Sequence, residues 1–367
     1  MKIKFLDLKA QYKPLKKEID KAIQNVINSS QFIMGEDVMK LEREVAGFCG
    51  TKYAVALGSG TDALFLSVKA LDIGSGDEVI TTPFTFISPA EVVAQLGAKP
   101  VFCDIDPKTF NIDPSKIPSK ITKKTRAIIP VHLFGQMAEM DSISNISQKA
   151  GLEIIEDAAQ AIGATYKKKQ IGGFGKIACL SFYPTKNLGG YGDGGMAVSD
   201  NKKIADKIAW LRIHGSKEKY YYNMLGYGAR LDTIQAAILR VKLKHLRKWT
   251  RARQKVARIY DELLSDSPIA IPYRNPNCNH VFHIYCIRAP QRDGLRDYLA
   301  KKDIPTFIYY PLGLHLQEAF RYLGYRRGSF PETEKACRET LALPIYPEIT
   351  TSEQEYVCEE IKKFYKK

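Results

Sequence analysis

Between Val55 and about Asp200 the chain alternates short runs of strand-forming residues with stretches of helical periodicity. The runs at 79–82, 100–104, 127–132 and 152–157 are rich in Val, Ile and Phe, and helix-length segments separate them. Parallel strands need a crossover long enough for a helix, so this alternation predicts an α/β fold with a mostly parallel sheet covered on both faces. In such sheets ligands bind outside the carboxyl ends of the strands, so the residues that follow each run are the first candidates for function.

At 367 residues the chain exceeds one ordinary core. A large domain over 1–245 and a smaller C-terminal domain over 246–367 are expected. The stretch 231–264 has no Pro or Gly and reads as one long helix carrying the chain between them, with the boundary near His245. Beyond it, 283–288 reads as a strand, 292–302 as a helix, 304–310 as a strand, and a last helix runs through Tyr356 and Phe364. Near the start Leu15, Ile19, Ile23, Val26 and Ile27 trace an apolar helical stripe suited to packing.

Four strand ends carry residues with chemical meaning. Lys186 follows the apolar run at 179–183 and precedes the turn Asn187-Leu188-Gly189-Gly190, where backbone approaches a ligand closely. A lysine there can hold pyridoxal phosphate as a Schiff base. Asp157 ends the run at 152–157 and can serve a buried cation such as the protonated ring nitrogen of that cofactor, with Gln160 beyond it able to donate to the phenolic oxygen. The turn Gly58-Ser59-Gly60-Thr61 lies between a strand-like run and a helix, which makes an anion site of backbone N–H groups, helix dipole and hydroxyls. Phe86, after the run at 78–81, can stack on a flat ring. Singly, each has a plainer reading: a surface lysine, a helix N-cap, an ordinary turn, a core phenylalanine. Four in register favour a cofactor site.

The ordered motifs resemble the nucleotide-sugar aminotransferases, pyridoxal-phosphate enzymes of fold type I. They are Gly-Ser-Gly-Thr-Asp-Ala-Leu at 58–64, Gly-Asp-Glu-Val-Ile at 76–80, Val-His-Leu-Phe-Gly-Gln at 131–136 and Glu-Asp-Ala-Ala-Gln at 156–160. Ser-Phe-Tyr-Pro-Thr-Lys-Asn-Leu-Gly at 181–189, Gly-Asp-Gly-Gly at 192–195 and Arg-Leu-Asp-Thr-Ile-Gln-Ala-Ala at 230–237 continue the series over nearly the whole chain. The resemblance implies a large domain with a mostly parallel seven-stranded sheet and a smaller α/β domain. It implies Lys186 on the cofactor aldehyde, Asp157 on the pyridine nitrogen, Gln160 on the phenolic oxygen, Phe86 on the ring face, and Ser59, Gly60, Thr61 and Ser181 at the phosphate. Some relatives carry histidine at the lysine position and act as dehydratases, so Lys186 argues for amino transfer.

The closest similarity is to enzymes that aminate C3 of dTDP-3-keto-6-deoxyhexoses, with UDP-linked 3-keto sugars and C4 amination as alternatives. By this resemblance L-glutamate is the donor, pyridoxamine phosphate carries the amine between half-reactions, and Tyr183, Arg230, Tyr309, Tyr310 and His315 meet substrate. Tyr309 stands where relatives often have histidine, and Tyr309 and Tyr310 also read as an amphipathic strand. Relatives usually have Asn at the position of Gly228, reaching the phosphate of the neighbouring subunit's cofactor; Asn223 is a candidate substitute. A homodimer with shared active sites follows from the resemblance.

The formal charge of +15 raises nucleic-acid binding as a different class. The basic clusters, Lys167-Lys168-Lys169 and Lys202-Lys203 among them, are short and separated, and no nucleic-acid-binding signature accompanies them. Steering of an anionic nucleotide sugar and of glutamate is the better reading of the charge. A cofactor-bound protein acting only as a regulator is a further alternative, although every chemical part is present. The seven cysteines form no Cys-x-x-Cys pair, and neither His280 nor His283 has a ligand cluster near it in sequence, so no metal is expected. No signal peptide or membrane span is read, and cytoplasmic placement is expected.

Overall fold

The computed structural model describes residues 1–366. Seven strands form the main sheet: β1 Tyr53–Leu57, β2 Glu78–Thr81, β3 Lys99–Phe102, β4 Thr125–Ile128, β5 Glu153–Asp157, β6 Ile177–Ser181 and β7 Gly195–Ser199. Their order is β1-β7-β6-β5-β4-β2-β3. The β2–β3, β2–β4, β4–β5 and β5–β6 pairs are parallel, and only β7 runs against its neighbours, β1 and β6. The expected α/β architecture is present.

The sequence logic is period two. Ile154, Ala178, Leu180 and Val198 face one core with the Glu36–Cys49, Met140–Ala150 and Thr233–Leu243 helices. Their strand neighbours Ile155, Ile177, Cys179 and Ala197 face the other, with the Gly60–Ala70, Ser88–Gln95 and Lys202–Leu211 helices. Both faces are therefore dry, and at about 25 cal/mol per Å² of apolar surface each buried Ile or Val contributes ~1.5–3 kcal/mol. With helices on both faces, the carboxyl ends of β1, β2, β4, β5 and β6 are left to open into loops at one edge.

Two expectations are corrected. The stretch 231–264 is two helices, Thr233–Leu243 and Leu246–Leu264, broken at Lys244 and His245. The first buries Ala236 and Leu239 in the large core, whereas the second buries Val256, Tyr260 and Leu264 in a separate one with Tyr285, Leu295, Leu343 and Ile361. One straight helix could not aim both stripes at once. The stretch 304–310 is no strand: Phe307 alone makes a single bridge to Ala342. Pro305 has no N–H to offer a ladder, and the chain then turns Tyr309 and Tyr310 inward.

The second core surrounds a two-stranded antiparallel sheet, Tyr285–Arg288 with Thr340–Leu343, covered by the Arg292–Ala300 and Thr351–Tyr365 helices. The last helix starts at a capping box in which Thr350 and Glu353 satisfy each other's backbone amides. In the N-terminal Lys16–Ser29 helix Ile19 and Val26 are buried, with Ile19 packed on Ile238 and Val241, but Ile27 is exposed. Among the described residues no helix is long and apolar enough to cross a membrane.

Candidate active site

The site begins where β1 ends. Ser59 is extended and its Oγ accepts from the Asp62 amide at 3.0 Å, which caps the Gly60–Ala70 helix and aims its first N–H groups outward. A Cβ on Gly60 would lie 2.7 Å from the Cβ of Ser181, and one on Gly195 would lie 2.1 Å from the Ser59 carbonyl oxygen. Glycine at both positions lets the end of β6 and the start of β7 close against the turn. Thr61 Oγ1 and Ser88 Oγ are 2.8 Å apart, so the two hydroxyls orient each other at the mouth of this anion cradle.

Asp157 ends β5 and is 5% exposed. Its Oδ1 accepts from the Ala159 amide at 3.0 Å, and its backbone bonds to Pro130 and His132, both at 2.9 Å. Burial pushes its carboxyl above the usual range, opposed by the Ala159 amide and by the charge of Lys186. The preceding Glu156 points to the other face. One of its oxygens accepts from the amides of Gly172, Phe174 and Gly175, and the other meets His132 Nε2 at 3.0 Å. Because Ala138 N donates to His132 Nδ1, the ring proton sits on Nε2, and this buried pair braces the end of β5.

Lys186 enters on the turn after β6, its amide bonded to the Tyr183 carbonyl at 2.8 Å. Burial pulls its amine down to about 8, and the Asp157 charge resists a further fall. Gln160 is held at both ends: its Oε1 accepts from the Phe134 amide at 2.8 Å and its Nε2 donates to the Tyr310 hydroxyl at 3.2 Å. Burial raises the Tyr310 phenol above its ordinary value, so the hydroxyl keeps its proton.

These groups share one cavity of about 520 Å³. Of the residues proposed from sequence, Ser59, Gly60, Thr61, Phe86, Asp157 and Gln160 line it, as do Ser181, Tyr183, Lys186, Tyr309 and Tyr310. Phe86 is 58% exposed, a ring face left open for a flat partner. Four others do not line it. His315 is 1% exposed, bonded to Glu334 and packed on Phe330, which removes it from substrate contact. Asn223 and Gly228 follow an exposed hairpin formed by Ser216–Glu218 and Tyr221–Tyr222, with Asn223 N on the Gly215 carbonyl and Gly228 bridged to Ile213. Arg230 runs beside the Gly58 turn, outside the cavity of its own chain.

Sequence reasoning passed over Thr85, Ser88, Asp193 and His283, all of which line the cavity. Ser88 opens a helix just after the Phe86 loop, a signal that could have found it; His283 has no local motif. A broader depression of about 740 Å³ involves Arg288, Arg292 and Glu339. It holds none of the catalytic groups, and Arg288 and Arg292 already bond to Glu339, Asp293 and backbone carbonyls. Among the described residues no group of three metal-ligating side chains converges.

An amine of lowered pKa, a buried carboxylate, an amide donor, an open ring face and an anion cradle fit a flat, phosphorylated heteroaromatic aldehyde. The DegT/DnrJ/EryC1/StrS aminotransferase family model matches residues 13–362. The chain belongs to this family. The family member from Geobacillus stearothermophilus described as "Pleiotropic regulatory protein" is 50% identical, covering 100% of this chain and 99% of the relative. The "UDP-2-acetamido-2-deoxy-3-oxo-D-glucuronate aminotransferase" of Pseudomonas aeruginosa is 41% identical over 97% of this chain and 98% of its own. The "dTDP-3-amino-3,4,6-trideoxy-alpha-D-glucose transaminase" of Streptomyces venezuelae is 38% identical over 99% and 96%. The solved structure of S. venezuelae DesV in complex with a ketimine intermediate superposes with a TM-score of 0.98 at 38% identity, covering 100% of this chain and 99% of that one.

Proposed function

We propose that this sugar aminotransferase uses pyridoxal phosphate to move an amino group from L-glutamate to C3 of a dTDP-linked 3-keto-6-deoxyhexose. The observation that carries the reading is the meeting of Lys186, Asp157, Gln160 and the Gly60–Ala70 helix start in one cavity. When bound, the cofactor supplies an electron sink for the carbon that gains or loses the amine.

The chain's own residues do the rest. Lys186 would hold the cofactor's aldehyde carbon, and its amine, pulled down to about 8 by burial, can take up and give back a proton near neutral pH. An arginine would stay protonated and could not serve. Asp157 keeps the ring nitrogen protonated by pairing with it. Gln160, held by Phe134 and Tyr310, directs an N–H at the phenolic oxygen. Phe86 covers one ring face, and the helix start with Ser59, Thr61 and Ser181 holds the phosphate. Tyr183, Tyr309 and Tyr310 line the open part of the cavity where a sugar would lie.

The dTDP and C3 assignments rest on the motif resemblance and on the dTDP-linked relative's name; the UDP-linked relative's name favours a UDP-linked 3-keto sugar as the second reading. The off-cavity positions of Asn223, Gly228 and Arg230 support a homodimer in which they serve the partner's cavity, Arg230 receiving the donor's carboxylate. The name of the 50% identical relative favours a regulatory role as a further reading, but an intact Lys186 site is not needed for that role. Incubating the enzyme and glutamate with a panel of dTDP- and UDP-linked 3-keto and 4-keto sugars tests the assignment. Preferred amination of the dTDP-3-keto sugars supports it, and preference for a UDP sugar or for C4 replaces it.

A further inference from the structure

The Thr233–Leu243 helix packs against the turn that follows Lys186 and grips it at two points. Gln235 and Lys242 stand about two helical turns apart, so they share a face. Gln235 Oε1 accepts from the Tyr191 amide at 2.7 Å, and a Cβ on Gly190 would lie 2.9 Å from that same oxygen. Lys242 donates its ammonium to the Gly189 carbonyl, and its Nζ lies 5.1 Å from the centre of the Tyr191 ring. Ala236 and Leu239 of the same helix share a core with Leu188 of the turn.

Lys242 is buried, and its burial pulls the amine down to about 8; among the described residues no acidic group offsets the fall. An apolar side chain of similar length would fill the space without desolvating a charge, so stability alone does not account for an ammonium here. The turn it holds is tight. Lys186 N donates to the Tyr183 carbonyl and Gly190 N to the Phe182 carbonyl, both at 2.8 Å. A Cβ on Gly189 would lie 2.3 Å from the Pro184 carbonyl oxygen and 2.8 Å from that of Tyr183. Gly189 therefore packs directly on the residues that precede Lys186, and a shift of its carbonyl moves the backbone on both sides of the lysine.

We propose that Lys242 and Gln235 are positioning residues for Lys186: by fixing the backbone of 189–191, they set where the lysine amine meets the cofactor's aldehyde carbon. This rests on the role of Lys186 proposed above. Neither side chain lines the cavity, so neither touches cofactor or substrate. Asp157, Gln160 and the start of the Gly60–Ala70 helix belong to other elements and do not depend on the grip. Loosening the turn should therefore misplace the lysine and leave the remaining cofactor contacts in place.

The test separates the lysine from the rest of the site. Pyridoxamine phosphate has no aldehyde and binds without a bond to Lys186, whereas pyridoxal phosphate forms one. On the full-length, cofactor-free protein, equilibrium dialysis gives the dissociation constant of pyridoxamine phosphate, and rapid mixing gives the rate at which pyridoxal phosphate gains the visible band of lysine-bound cofactor. Lys242→Met should bind pyridoxamine phosphate within about twofold of the parent and capture pyridoxal phosphate at least about tenfold more slowly. A folded Lys242→Met protein with the parent's capture rate overturns the proposal. Equal losses in both measurements also overturn it, because they mark a general loosening of the cavity. Should Lys242→Met not fold, Gln235→Leu decides by the same two measurements, with the same split expected and the same outcomes contradicting it. A parent that binds pyridoxal phosphate without the lysine-bound band, or a Lys186→Ala protein that keeps the band, would instead overturn the role of Lys186 on which the proposal stands.

Discussion

At the residue scale the chemistry turns on two buried ionisable groups that oppose each other. Lys186 is pulled down to about 8 by burial, and Asp157 is pushed up by the same cause, each partly restored by the other's charge. For the lysine the sign is simple: below its pKa it is ammonium and cannot attack an aldehyde, and above it the amine is free. Stripped protein should therefore capture pyridoxal phosphate faster as pH rises, levelling off above about 8, when followed by absorbance after rapid mixing. Lys186→Ala and Lys186→Arg should leave no borohydride-trappable cofactor and no turnover while circular dichroism stays native. Asp157→Asn should still trap the cofactor yet lose ~100-fold or more in turnover, because an amide cannot keep the ring nitrogen protonated. Without cofactor the same variant should melt no lower than the parent, since it removes a desolvated charge; a lower melting temperature would show that Asp157 is held for structure. Lys186 and Asp157 were legible in the sequence because each sits at the end of an apolar run. His283 was not, because only the packing of a distant segment brings it to them.

At the element scale, the cavity depends on how closely three strand ends approach. Gly195 starts the antiparallel β7 against the Ser59 carbonyl, so Gly195→Ala should displace one of them. A loss of ~2–4 kcal/mol in denaturant unfolding is expected, together with faster cofactor release on dialysis. Strands β2, β3 and β5 were readable from composition, to within two residues at each end, since buried parallel strands are continuous apolar runs. The break at Lys244 and His245 was not, because no Pro or Gly marks it; two different cores impose it. Residues 304–310 misled for the opposite reason. Their aromatic content reads as strand, but Pro305 and the cavity's demand for Tyr309 and Tyr310 take the backbone out of any ladder.

At the scale of the whole molecule, one chain presents a cavity that the expected phosphate and donor contacts, near Gly228 and at Arg230, do not line. Sedimentation equilibrium should give a dimer at assay concentrations, and an active monomer would contradict the shared-site proposal. The proposed domain boundary near His245 falls at the helix break, and the site draws on both sides of it, with Lys186 and Asp157 before and His283, Tyr309 and Tyr310 after. The charge of +15 belongs to this scale as well: turnover at low substrate should fall with added salt if the field steers anionic substrates. The central claim is that Lys186 and its surroundings carry out amino transfer. Its most direct test is to add L-glutamate alone to the purified, pyridoxal-phosphate-loaded protein and record the absorption spectrum. Disappearance of the visible band of lysine-bound cofactor, with appearance of the near-ultraviolet band of pyridoxamine phosphate and release of 2-oxoglutarate, is the predicted result. An unchanged spectrum with glutamate, and with every other amino acid offered as donor, would contradict it.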